Sequence, residues 1–434
     1  MFGYYLDLAW RSLKRTPILT SLMVLAIGLG IGACITTLTV LHLLSGDPIP
    51  GKSAQLFYPQ VMPDTRSKTE PEIGFTYTDA TNLLREHRAD RQAIVVSNNI
   101  KVFGPQAGAR PMSLSTVATT TDFFPMFDVP FRYGAGWTPT EDGNRARVAV
   151  ISQELNDKLF GGGNSIGRNI RLDKWDFRIV GVLQHWQPQP RYYDLYGHGA
   201  FASGDSVFIP FSTSRDLADL GIEGNALDCW EQLTDQVHLE NQPCLWLQYW
   251  VELDTPAKVS AYRDYLVSYS EQQKALGRFQ FNGKPLTGLH DLMDWLGYLQ
   301  VVPSDVRLQT WVAFGFLLVC LINTVGLLLA KFLRRSGEIG VRRALGASRR
   351  AVFAQMLTEA ALVGVAGGML GLLLALTGLW AVRRSPTDYA ALAHLDLRMF
   401  LVTFALSIAA SLVAGLLPAW RACQIPPALQ LKSH

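Results

Sequence analysis

The sequence predicts an α-helical membrane protein: four transmembrane helices, with a large α+β extracytoplasmic domain between the first and the second. Three observations point to it. Only 17% of residues are charged, against about 25% in an ordinary soluble chain. Four apolar stretches each reach the ~20 residues that a spanning helix needs. The interval between the first and second stretches, residues 46–307, has many aromatics, regular Gly and Pro punctuation and no run long enough to span. A net charge of +3 is too small to argue for nucleic acid, but the basic residues are clustered, and their positions carry information.

Residues 1–17 form an amphipathic piece. Tyr4, Tyr5, Leu6, Leu8, Ala9 and Trp10 precede Arg11 and Lys14, a pattern that lies along a membrane surface with its rings at headgroup depth. Ile18 to Leu44 carries no formal charge and defines the first span, 18–45. Arg11, Lys14 and Arg15 before it and Asp47 after it put the N-terminus in the cytoplasm. A cleaved signal peptide competes, and Ile31-Gly32-Ala33-Cys34 faintly resembles a lipoprotein cleavage box; apolar residues continuing past Cys34 speak against it. Gly28 and Gly32 permit close helix contact.

In the long interval, Ala54–Val61 reads as strand, Thr78–His87 as helix and Ala93–Val102 as strand. Far downstream Leu245–Leu253 reads as strand, Pro256–Leu276 as helix and Arg278–Phe281 as strand. Two β-α-β units, split in sequence, can therefore share one sheet. A β-rich subregion, about 111–244, is inserted between them; Val148–Ser152 and Phe177–Leu183 are its clearest strands and Gln153–Phe160 its clearest helix. Cys34, Cys320 and Cys423 lie in or beside spans; Cys229 and Cys244 are the only pair in the outer domain, and a disulfide between them is expected in an oxidising compartment.

The remaining spans are Leu308–Ala330, Ala360–Val382 and Met399–Ala419, in segments 308–332, 359–383 and 399–420. An outer loop, 384–398, joins the last two, and 421–434 is a cytoplasmic tail. Lys331, Arg334, Arg335, Arg342, Arg343, Arg349 and Arg350 put the connection 333–358 inside; Arg383 and Arg384 then fall outside, against a rule that is statistical. Gly364, Gly367, Gly368 and Gly371 suggest tight packing of the third span, and Asn323 in the second is expected to face protein.

That inner connection is the most informative stretch. In Ser336–Glu359, Ser336 can cap a short helix with Glu338 in its first turn, and Glu338 and Arg342 stand four apart on one face. Gly346 reads as a stop and Ser348 as a restart. The outcome is helix, tight turn, helix: a bent, arginine-tipped lever fixed to membrane helices, rather than a simple basic loop.

The run Glu338-Ile339-Gly340-x-Arg342-Arg343-Ala344-Leu345-Gly346-Ala347 resembles the signature of the FtsX/MacB family of ABC transporter permeases. Asp122-Phe123-Phe124, Val148–Ser152, Leu159-Phe160, Ile166-Gly167, Ile179–Val182 and Val207–Pro210 are similar to that family's MacB-like periplasmic core domain. Pro303–Arg307 and Leu417–Ala422, with Pro427-Ala428-Leu429, resemble its entry to the second span and its C-terminal end. The resemblance implies that 333–358 is a coupling segment resting on a cytoplasmic ABC ATPase dimer. Glu338, Gly340, Arg342, Arg343, Leu345, Gly346 and Ala347 would be its coupling residues: Glu338 and Arg342 shape the lever, Arg343 contacts the ATPase, and Gly340 and Gly346 serve close approach and the turn. It further implies a bacterial inner-membrane location, a porter-like split part of the periplasmic domain, a second permease subunit, identical or paralogous, and an optional periplasmic adaptor and outer-membrane duct.

No catalytic motif competes. Gly163-Asn164-Ser165-Ile166-Gly167 matches GxSxG, but a helix precedes it and a strand follows, the reverse of a nucleophile elbow. Residues 162–169 approach a phosphate loop, yet Arg168-Asn169 stand where Lys and Ser/Thr should be. No metal motif is found, and no cofactor is expected beyond ATP and Mg on the partner ATPase. The expected role is a non-enzymatic permease subunit expelling an amphipathic substrate such as a peptide, antibiotic or lipoprotein; the alternative is a force relay acting on a cell-wall hydrolase or sensor.

Overall fold

A computed structural model describes residues 2–63, 73–104, 110–195, 199–217, 220, 227–235, 238–384 and 397–424. The chain divides into a helical unit, Met1–Gly46 with Val302–His434, and an α/β unit, Asp47–Val301. It opens with α1 (Phe2–Arg15) and α2 (Pro17–Ser45). Pro17 sits at the start of α2, where its fixed φ suits a helix and its missing N–H costs nothing.

The α/β unit begins with β1 (Leu56–Val61), α3 (Tyr77–Glu86), β2 (Arg91–Phe103) and β3 (Met112–Thr119). The middle comprises α4 (Phe123–Met126), β4 (Phe131–Gly134), α5 (Pro139–Gly143), β5 (Val148–Ile151), α6 (Gln153–Phe160), β6 (Asn169–Leu172), β7 (Trp175–Leu183), β8 (Val207–Pro210) and α7 (Phe211–Asp216). After the short pair β9 (Asp228–Cys229) and β10 (Cys244–Leu245) come β11 (Gln248–Glu252), α8 (Pro256–Ala275), β12 (Thr287–Asp291) and α9 (Leu292–Tyr298). Helices start where side chains satisfy free N–H groups: the oxygens of Thr76, Ser152 and Thr255 accept from Asp79, Leu155 and Lys258.

Ten strands form one sheet, in the order β12-β1-β11-β2-β3-β8-β5-β7-β4, with β6 against β2 and β7. At one end β1 lies antiparallel to both β12 and β11, and β11 antiparallel to β2. The two separated β-α-β stretches thus interleave in a ferredoxin-like order. The inserted strands continue the same sheet through the β2–β3 pair, which runs from Val95↔Thr119 to Val102↔Met112. Neighbouring residues on a strand bury on opposite faces. Phe57, Ile94, Tyr249 and Val251 enter one core with Leu83 and Leu266; Tyr58, Val95 and Trp250 enter the other with Phe123 and Trp295. Burial on both faces explains the continuous apolar runs of β5 and β8; β1 is buried along its whole length as well, with Gln60 as its one polar side chain besides the Tyr58 hydroxyl.

Inside this unit Arg191 is buried, pairing with Asp194 and, at 3.2 Å, with Asp205, while the Tyr193 hydroxyl donates to Asp205 at 2.6 Å. Burial pushes the Asp205 carboxyl up, against the pull of Arg191. Cys229 and Cys244 face each other across β9 and β10 and are joined by a disulfide.

One expected strand is corrected. Arg278–Phe281 is not a strand: Phe279 and Phe281 are buried, but as anchors of an irregular connection bounded by positive-φ glycines, Gly277 and Gly283. The strand that closes the sheet is β12, Thr287–Asp291.

The helical unit resumes with α10 (Ser304–Arg334), α11 (Ser336–Ala344), α12 (Arg349–Arg383) and α13 (Leu397–Gln424). Among the described residues, α2, α10, α12 and α13 are long and apolar enough to cross a membrane. Small residues let them approach closely: a Cβ on Gly28 or Gly32 would strike Leu370 or Leu374, and one on Gly364 would strike Ser411. On α10, Val306, Thr310, Ala313, Leu317, Cys320, Thr324 and Leu328 form one buried stripe. Asn323 lies outside it and is exposed on the surface of this chain, so the protein it is expected to face is not its own helical core; the buried polar neighbour is Thr324, which satisfies itself on the Cys320 carbonyl at 2.8 Å. Most of the expected outer loop 384–398 and of the tail 421–434, including Pro427-Ala428-Leu429, lies outside the described residues.

Candidate functional site: the coupling block

The chain breaks from α10 to α11 at Arg335, which holds φ −98° and ψ 9° and occupies the N-cap position. Ser336, expected as the cap, is instead the first helical residue. The helix ends two turns later. Gly346 N–H donates to the Arg343 carbonyl at 3.2 Å and Ala347 N–H to that of Arg342 at 3.0 Å. This reversal needs a left-handed residue, and Gly346 supplies it with φ +101°. Ser348 then caps α12, its hydroxyl accepting from Ala351 N–H at 3.2 Å.

The two faces of α11 differ. Gly340 is buried, and Ile339 and Ala347 pack on the helical core. Val341 and Leu345 point outward; Leu345 is 84% exposed. An apolar tip so exposed on a rigid turn is suited to contact another protein. Arg343 is half-buried.

Glu338 and Arg342 pair across one turn at 3.4 Å. Their ion pair belongs to a larger network. Glu338 also pairs with Arg335 at 3.2 Å, and Arg342 donates to Gln355 of α12 at 3.0 Å. Arg335 reaches Glu359 of α12 at 2.8 Å, and Lys331 of α10 reaches the same carboxylate at 3.0 Å. The Ser12 hydroxyl of α1 donates to Glu359 at 2.8 Å and accepts from Arg335. Lys331 and Glu359 are almost wholly buried. Four helices therefore meet on one carboxylate, and the short helix is braced to α12 at both ends. Charged groups buried this way cost several kcal/mol each unless paired, so the cluster tolerates few alternative arrangements (on the order of 3–5 kcal/mol for a broken pair).

Sequence reasoning did not find Ser12, Lys331, Arg335 or Glu359 as members of this site. Lys331 and Arg335 counted only as topology signals, and Glu359 only as the flank of an apolar run. The available signal was an acid at the mouth of a span, which demands a named cationic partner.

A multi-pass membrane protein with a periplasmic α/β domain between its first two spans, and a bent basic segment between the second and third, is the class that fold and site define. Residues 20–269 match the MacB-like periplasmic core domain, and residues 311–427 match the FtsX-like permease C-terminal domain. The chain belongs to the FtsX/MacB family of ABC transporter permeases. It is 24% identical to a macrolide export ATP-binding/permease protein MacB of Wolinella succinogenes, over 99% of this chain and 60% of that one. It is 25% identical to a MacB of Syntrophobacter fumaroxidans, over 72% and 46%, and 25% identical to the pyoverdine export ATP-binding/permease protein PvdT of Pseudomonas putida, over 73% and 43%. The chain thus spans about half the length of these relatives. Among solved structures, the periplasmic region of MacB from Actinobacillus actinomycetemcomitans aligns at 11% identity and TM-score 0.37, covering 58% of this chain and 95% of that one.

Proposed function

We propose that this chain is the permease subunit of an ABC-type export complex, with cytoplasmic termini in a bacterial inner membrane. ATP is hydrolysed by a separate ATPase dimer under the membrane. α11 rests on that ATPase through Leu345, Val341 and Arg343. Closure of the ATPase pair moves α11, the ion network of Glu338, Arg335 and Glu359 passes the displacement to α10 and α12, and packed helices carry it as a near-rigid shift. The periplasmic domain responds and expels an amphipathic compound. The observation that supports this best is the bracing itself: a short helix clamped to two spans by buried charge cannot move without them.

A second permease subunit completes the complex. Asn323 lies mid-span on the exposed face of α10, and Gly315 and Gly326 on the same helix have nothing within 4 Å of where a Cβ would stand. An amide facing hydrocarbon is costly, and open glycines invite a close helix. Gentle purification of the tagged protein, with identification of what accompanies it, tests the proposal. An ABC ATPase lost on Leu345→Asp is the expected result; a complex without any ATPase would overturn it.

A further inference from the structure

The N-terminal helix α1 has two dissimilar faces. Ala9, Ser12 and Leu13 are buried, chiefly against α12. Trp10, Arg11, Lys14 and Arg15 are exposed, with the Lys14 ammonium 5.1 Å from the Trp10 ring centre. The helix ends one residue before the first span, and the Thr20 hydroxyl ties back to the Leu13 carbonyl at 3.2 Å. Its outward face is therefore held at the level where the bilayer begins. A tryptophan beside three cations, with Asp7, the one acid of α1, pairing Arg11 at 2.9 Å, matches an anionic headgroup layer.

The inward face is what makes this more than an anchor. Ser12 is 4% exposed and touches both Glu359 and Arg335, the two groups that fix the N-terminal end of α11 to α12. Wherever α1 goes, that hydroxyl goes, and the network either keeps or loses one of its contacts.

We propose that α1 is a lipid-responsive clamp on the coupling block: anionic phospholipid on the Trp10, Arg11, Lys14 and Arg15 face seats α1, and Ser12 transmits that seating to α11. The proposal builds on the permease assignment, in which this face meets the cytoplasmic leaflet. Its test needs neither an ATPase nor a transported compound, so the two can fail separately.

The full chain is reconstituted in vesicles of phosphatidylcholine alone and of phosphatidylcholine mixed with phosphatidylglycerol. Amide hydrogen exchange is followed over α1 and over residues 336–344. Phosphatidylglycerol is expected to slow exchange in both segments, by roughly fivefold for each basic residue engaged. Arg11→Gln with Lys14→Gln should abolish the lipid effect in both. Ser12→Ala should keep it in α1 and remove it from 336–344, and Ser12→Thr, which retains the hydroxyl, should restore it. If α1 ignores phosphatidylglycerol, its basic face serves an acidic protein and the proposal falls. It falls equally if exchange in 336–344 follows the lipid as strongly in Ser12→Ala as in the parent, or never follows it at all.

Discussion

Lys331 and Glu359 meet at 3.0 Å across α10 and α12, with about 1% of either side chain exposed. A pair so dry is stable only as a pair. Glu359→Gln would leave Lys331 charged beside Arg335 with its counter-ion gone, a loss of about 3–5 kcal/mol. Thermal unfolding of the purified protein in detergent measures it. Adding Lys331→Met should recover most of the loss, because the second change removes the stranded charge. A single variant as stable as the parent would mean that water reaches the site.

Gly346 tests the lever from its other end. Nothing lies within 4 Å of a Cβ built there, so only the backbone, at φ +101°, objects to a side chain. Gly346→Val should cost about 1–3 kcal/mol at the turn. The four spans should still insert. ATP hydrolysis by the assembled complex should continue while output falls. Normal output from that variant would remove the turn from the mechanism.

Asn323 makes the second subunit testable without knowing the substrate. Asn323→Cys in a background lacking Cys34, Cys320 and Cys423 should form a dimer-sized cross-link within membranes, if the second subunit is an identical chain. Asn323→Leu should leave the helical unit as stable as before while weakening association. An introduced thiol that reacts only with lipid-soluble reagents and never with a partner chain would place this face in lipid.

The Cys229–Cys244 bridge closes a loop of sequence separation 15. Loop-closure entropy assigns such a bridge about 3 kcal/mol. Cys229→Ser with Cys244→Ser should lower the unfolding temperature by several degrees, in line with that loss. Reductant should have the same effect on the parent and none on the double variant.

The spans and the bent inner segment were legible because they depend on local pattern: uncharged runs, Gly346 and Ser348 as punctuation, and Glu338 four residues before Arg342. The network around Glu359 was not. Its partners stand 347, 28 and 24 residues away in Ser12, Lys331 and Arg335, and no periodicity links them. The partner of Asn323 was not legible for a related reason. An amide in a span needs a partner, but a single chain's sequence does not say whether that partner is its own. In the α/β unit, alternating aromatics at Phe279 and Phe281 imitate a strand, whereas the true edge strand contains Gly288 and ends in two polar residues, His290 and Asp291. Packing, not propensity, selected it.

Thr138 and Glu141 form a capping box on α5: the Thr138 hydroxyl accepts from Glu141 N–H at 3.2 Å, and the Glu141 carboxylate accepts from Thr138 N–H at 2.9 Å. That backbone N–H is the main reason the Glu141 carboxyl sits below its usual range; partial burial opposes it, and the Thr138 hydroxyl and Arg178, at 3.0 Å, add to the lowering. The folded state therefore binds fewer protons here than the unfolded chain does. The stabilisation is fully present above the ordinary glutamate value of about 4.3 and is lost as pH falls through the depressed one. Glu141→Gln should cost about 1 kcal/mol at neutral pH. The gap between variant and parent should close in acid, because the protonated parent then resembles the amide. Unfolding followed across that range by urea titration decides the matter: a gap that stays constant with pH would show that the carboxylate's charge contributes nothing to the cap.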